Sequence, residues 1–211
     1  GGEKGGEKGG EGGGATTATT ATTTKFSTTR LIIKCWCDLP LGAAPRSVLA
    51  LLGDERVHAQ LPWSDVTTIE KAQEWLDQKK GGTTYPVFLK EEEKFLGLIA
   101  VVEEESMSPE IGYVLAAEHW GKGYATEAVA GLVKHLFETE SRGMEQHEEV
   151  RIKRKELHAY AAINNVGSQR VLLKNGFHPL DGIVIKRNVE RIHFLMQRPV
   201  EKDKEAGVVV P

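Results

Sequence analysis

Residues Glu110–Phe137, EIGYVLAAEHWGKGYATEAVAGLVKHLF, constrain the fold more than any other stretch of the chain. Glu110–Leu115 reads as a short strand, Ala116–Tyr124 as a glycine-bearing turn and Ala125–Phe137 as a helix. Ala125, Ala128, Val129, Leu132, Val133, Leu136 and Phe137 recur at helical spacing and make one apolar stripe. Gly121 and Gly123 stand just before it. A strand that turns through glycines into a helix start aims several main-chain N–H groups at one place, and the helix dipole adds partial positive charge there. That arrangement suits an anion, above all a phosphate. The same glycines would also serve an ordinary turn. The stretch is not a P-loop, because Gly123 follows Lys122 where Ser or Thr should stand, and it contains no G-x-G-x-x-G fingerprint.

The rest of the chain supplies one domain around this piece. Its 211 residues suffice for one core plus tails. A formal charge of −3 gives no global basic field of the kind nucleic acid selects. No apolar run reaches membrane-spanning length. Cys35 and Cys37 form neither a disulfide framework nor a zinc site, which needs about four ligands. They read as reduced thiols, which places the protein in the cytoplasm, with the nucleus as the alternative. His119, His158, His178 and His193 show no ligand spacing, so no metal is assigned.

Residues 1–29, glycine-rich and then Thr/Ala-rich, read as a disordered tail without a secretory signal, and 200–211 as a second tail. Between them, 30–199 reads as one folded domain. Leu31–Ile33 with Cys35 opens it as a strand, followed by a short helix over Pro45–Leu52 and an irregular Glu55–Trp63. Thr68 caps a helix that runs to Lys79. Tyr85–Lys90 and Phe95–Val102 form an antiparallel hairpin across EEEK. After the long helix, the charged 139–156 segment reads as a solvated loop rather than a nucleic-acid patch. Leu157–Ile163 is a strand, Asn165–Asn175 a helix capped by Asn165 and stopped by Gly176, and Arg191–Gln197 the last strand. The sum is α+β: a mixed, mostly antiparallel sheet with flanking helices.

Trp120-Gly121-Lys122-Gly123-Tyr124-Ala125 resembles the acyl-CoA pyrophosphate loop of the GNAT N-acetyltransferases, Q/R-x-x-G-x-G/A, with Trp120 at the Gln/Arg place. With TTRLIIK, LPW, EKAQEWL and NNVGSQRVLLKNGF in the same order, the chain resembles the RimJ/RimL-like branch from about Thr29 to about Pro199. The charged segment after the long helix is longer than that branch usually has, and the N-terminal tract is extra.

The resemblance implies the GNAT fold, in which two central strands, here Glu110–Leu115 and Leu157–Ile163, start paired and then splay. It also implies acetyl-CoA as cosubstrate, its pantetheine arm entering that gap. The expected cofactor contacts are Val114, Leu115, Trp120, Gly121, Lys122, Gly123, Tyr124, Ala125, Thr126, Asn165 and Ser168. The activity implied is acetyl transfer to a primary amine, a protein N-terminus or a small molecule, by direct attack in a ternary complex. A non-catalytic acyl-CoA-binding module of the same fold is the alternative.

Acetyl transfer needs a neutral amine, a donor for the oxyanion and a proton for the leaving thiolate. Glu110 is the expected base, Ser168 the expected acid with Tyr160 behind it, and the N–H near Val114 the expected oxyanion donor. Trp63 and Glu110 are expected on the acceptor side, whereas Trp75 reads as core. Glu127, in the first helical turn, must point away from any phosphate held there. Neither the acceptor nor the oligomeric state can be read from these residues.

Overall fold

The structure is a computed structural model that describes residues 25–36, 39–40, 42–61, 64–79, 84–102, 109–141 and 155–199. Nine strands of these residues form one sheet: β1 (Phe26–Ser27), β2 (Leu31–Ile33), β3 (Thr84–Leu89), β4 (Phe95–Val102), β5 (Glu110–Leu115), β6 (Glu156–Ala162), β7 (His178–Pro179), β8 (Val184–Lys186) and β9 (Val189–Gln197). The spatial order is β1-β2-β3-β4-β5-β6-β9-β7, with β8 also on β9. Every pairing is antiparallel except β5 with β6.

Helices cover both faces. Helices α4 (Tyr124–Ser141) and α5 (Val166–Lys174) press Ala128, Val129, Leu132, Leu136 and Leu172 onto Leu31, Ile33, Val87, Ile111, Leu115, Leu157 and Phe194. On the other face, α1 (Ala43–Leu52), α2 (Glu55–His58) and α3 (Ile69–Gln78) gather Val48, Leu51, Val57, Ala72 and Leu76 around Leu98. Each fully buried Val, Leu, Ile or Phe side chain contributes about 1.5–3 kcal/mol, so the two apolar clusters fix which way the central strands face.

Local signals set the element ends. Thr68 accepts from the amide of Lys71 at 3.3 Å and starts α3. Asn165 accepts from the amide of Ser168 at 2.9 Å and starts α5, and Gly176 at φ 82° closes it. Three expectations are revised. The folded part begins before Arg30, because Lys25 donates to the carbonyl of Ile33 and Phe26 pairs with Ile33. The segment expected to be irregular after Gly53 holds α2, capped by Asp54, which accepts from the amide of Arg56. The hairpin of β8 and β9 was not anticipated, because VIK and VER flank Arg187-Asn188, a turn at positive φ without the usual glycine. Of the expected tails, 1–29 and 200–211, residues 1–24 and 200–211 lie outside the described residues, as do Trp63, Cys37 and most of the charged loop.

Candidate active site

The parallel ladder between β5 and β6 holds two residue pairs, Glu110 with His158 and Ile111 with Ala159, beside a bond from the amide of His158 to the carbonyl of Pro109 at 2.9 Å. Beyond them the strands part. β5 stays on β4 through Leu115, opposite Gly97, and β6 stays on β9 through Ala162, opposite Arg191. A gap therefore opens inside the sheet, bounded by the last four residues of β5.

Backbone alternation decides which groups face that gap. Successive residues of a strand send their N–H and C=O to opposite edges. The amide of Ala116 donates to Leu96 on β4, whereas the carbonyl of Pro109 accepts from β6. Gly112 and Val114 therefore turn to β4, and Tyr113 and Leu115 turn to the gap. Gly97 confirms this: a Cβ built there would stand 2.1 Å from the carbonyl oxygen of Val114. Of the amides near Val114, where the oxyanion donor was expected, that of Val114 itself is spent in the ladder with Leu98. The carbonyl of Leu115 is taken by the indole N–H of Trp120 at 2.7 Å. This leaves the amides of Tyr113 and Leu115 on the gap side.

At the Leu115 end the chain turns through Gly121 and Gly123, at φ 74° and 79°, into α4. These left-handed angles favour glycine. Trp120 donates its amide to Ala117 and Glu127 donates to Gly123. Between them, the N–H groups of Gly121, Lys122, Gly123, Tyr124, Ala125 and Thr126 have no acceptor among the described residues. Six successive amides thus stand free at the positive end of an 18-residue helix. Glu127 does not oppose them. Its carboxylate accepts from the Thr28 hydroxyl at 2.5 Å, the Arg30 amide at 2.7 Å and Arg30 Nε at 2.7 Å. Burial pushes its pKa up, but these donors outweigh burial and hold it below the ordinary value. The Arg30 guanidinium also donates to the carbonyl of Lys122 and lies 4.5 Å over the ring of Tyr124.

Across the gap stands the start of α5. Asn165 uses its side-chain oxygen as the helix cap, which leaves its NH2 group as a donor. Ser168 Oγ lies 2.8 Å from the Tyr113 hydroxyl, which also donates to the Ser168 carbonyl at 3.1 Å. Burial pushes the Tyr113 phenol up to about 12, so it holds its proton.

Glu110 lies at the closed end of the gap and on the opposite face, with Val114 and the first three helices. Its carboxylate accepts from the ammonium of Lys186 on β8, which also lies 4.3 Å over the Tyr160 ring. Trp75 packs with the core around α1 and α3. The sequence reading missed Tyr113, Lys186, Thr28 and Arg30. Tyr113 shares the alternation of β5, and a search for bulky polar side chains beside the gap would have found it. No cluster of three or more His, Cys, Asp or Glu able to hold a metal occurs among the described residues.

A profile of the acetyltransferase (GNAT) domain matches residues 40–178, well over half of the chain. The chain belongs to the GNAT acetyltransferase family. The parted strands and the glycine turn are the fold's own features here, and solved structures agree on the fold. Spermidine N-acetyltransferase from Vibrio cholerae, in complex with CoA and spermine, is 14% identical with a TM-score of 0.60, over 81% of this chain and 96% of that one. Ribosomal-protein-S5-alanine acetyltransferase from Vibrio fischeri is 18% identical with a TM-score of 0.57, over 82% and 95%. The uncharacterized N-acetyltransferase p20 of Bacillus licheniformis is 36% identical over 55 residues, 25% of this GNAT chain; the match spans 31% of the length of that curated relative. Among the described residues, no helix is long and apolar enough to cross a membrane.

Proposed function

We propose that this GNAT protein moves an acetyl group from acetyl-CoA to a primary amine by direct attack in a ternary complex, and that it belongs to the RimJ/RimL-like branch. The observation that carries the reading is the run of six free amides from Gly121 to Thr126 beside a gap in the sheet. The amides hold the diphosphate, with Lys122 adding charge and Trp120 tying the turn to β5. The pantetheine arm runs along β5 and bonds to Tyr113 and Leu115, and the NH2 of Asn165 meets it from α5. The oxyanion is received by a gap-facing amide of β5. Glu110 takes a proton from the amine, directly or through water, the C–S bond breaks as the C–N bond forms, and Ser168 protonates the departing thiolate.

The acceptor is a protein N-terminus or a small amine; two solved neighbours are named for an alanine of a ribosomal protein and for spermidine. Two cysteines in 211 residues, too few for a disulfide framework, support the reducing compartment expected from the sequence, cytoplasm or nucleus. Release of free thiol from acetyl-CoA with a panel of N-terminal peptides and polyamines tests the activity; no release above background with any acceptor would sink it. The non-catalytic acyl-CoA-binding module draws support from one observation, the engagement of Glu110 by Lys186. Calorimetry separates the two: CoA binding without release, unaltered by Glu110→Gln, selects the module.

A further inference from the structure

Glu156, His158 and Tyr160 alternate along β6 on the face that carries Glu110, and β9 adds His193 opposite Tyr160. Nδ1 of His158 lies 2.6 Å from Nε2 of His193, and Nε2 of His158 lies 3.0 Å from Oε1 of Glu156. The His193 ring stacks on Tyr160 with centroids 4.5 Å apart. With both rings neutral, these contacts set the tautomers. A carboxylate only accepts, so Nε2 of His158 carries the hydrogen. The neutral ring then offers Nδ1 as an acceptor, so His193 must donate from Nε2. Nδ1 of His193 is left as an unprotonated nitrogen with no hydrogen-bond partner among the described residues. Its ring stands level with Tyr160, the β6 residue just past the last β5 pairing, where the gap opens.

We propose that His193 is a second general base for the acceptor amine and that His158 and Glu156 are positioning residues that draw the proton off it. The inference rests on the acetyl-transfer reading above. In the step, an N–H bond of the acceptor breaks and an H–Nδ1 bond forms on His193. His193 passes its Nε2 proton to Nδ1 of His158, and the resulting imidazolium pairs with Glu156. The acceptor keeps its electron pair for the thioester carbonyl. The proton returns along the same bonds and leaves from Nδ1 to solvent.

The groups around His193 suit a base that is neutral when the amine arrives. His158, Glu156 and Tyr160 face it from β6, Glu110 from β5, Lys186 from β8 and Arg191 from its own strand. Burial first, then the neighbouring His158 and the charge of Lys186, hold its pKa below the ordinary imidazole value. Glu110, by contrast, is occupied by Lys186.

Two measurements test this. Nitrogen NMR at neutral pH should show both rings as Nε2–H tautomers; a His158 ring protonated at Nδ1 alone overturns the relay whether or not any amine is acetylated. In pH profiles of kcat/KM, the wild type should lose rate as pH falls through the His193 value. His193→Phe should lose that limb and about 100-fold in kcat, with CoA binding by calorimetry unchanged. His158→Gln should move the limb without removing it. His193→Phe with an unaltered limb and a rate within twofold of wild type overturns the role. Absence of thiol release from the wild type with every amine would overturn the acetyl-transfer reading itself, and the NMR result would still decide the tautomers.

Discussion

Nε of Arg30 stands 2.7 Å from Oε2 of Glu127 and ties the turn between β1 and β2 to the first turn of α4. Together with the Thr28 hydroxyl and the Arg30 amide, it turns the carboxylate away from the free amides just before it. The Arg30 side chain is 44% exposed, so water screens much of its share, and the hydroxyl and amide contacts dominate. Glu127→Gln should cost about 1–2 kcal/mol of stability at neutral pH. The net pKa of Glu127 is lowered from 4.5, so its contribution is full above that value and is lost as pH falls through the lower folded value. Urea unfolding of wild type and variant should therefore converge at acid pH.

Gly123 sits at φ 79° in the turn assigned to the diphosphate. Gly123→Val should impose about 1–2 kcal/mol of backbone strain and re-aim the amides of Gly123 and Tyr124. CoA affinity by calorimetry should drop at least tenfold. Gly182→Ala, at φ 90° between β7 and β8, imposes similar strain without touching the turn and should leave CoA affinity as it is.

The pair of Lys186 with Glu110 sets opposite expectations for its two members. Glu110→Gln should reduce kcat by about 100-fold or more while leaving CoA binding intact. Lys186→Met frees the carboxylate and should lower the KM for a cationic acceptor. Steady-state kinetics at fixed acetyl-CoA reads both.

Tyr113 gives an alkaline signature. Its folded pKa is raised from 10.0 to about 12, so its contribution to stability is full below 10.0 and disappears as pH rises toward the folded value. The shift corresponds to at most about 3 kcal/mol. Tyr113→Phe should therefore lose less stability than wild type between neutral and strongly alkaline pH in paired denaturant titrations. It should also lower kcat through Ser168, whose hydroxyl it contacts.

What could be read from the residues was whatever depends on neighbours in the chain. The apolar stripe of α4, the caps at Thr68 and Asn165, and the glycine turn are encoded within a few positions of one another. The splayed strands were expected only through the family resemblance, because no local pattern says where a ladder stops. Long-range polar partners were not legible. Glu127 meets Arg30 across 97 positions and Glu110 meets Lys186 across 76, and nothing in either segment names the other. Which of the amides near Val114 face the gap was not legible either, because one residue of strand parity decides it, and parity is fixed by the register against β4.

The two-pair ladder between β5 and β6 also has a mechanical meaning. The molecule is two plates hinged along a short seam, with α5 and β9 riding on one plate and the first five strands forming the other. Cross-braces span the joint: Lys186 to Glu110 at the seam, and beyond it Tyr113 to Ser168 and the Asn175 side chain to the Thr126 carbonyl. Past the seam, these struts and the apolar core shared by both plates take over the joining that sheet hydrogen bonds provide elsewhere.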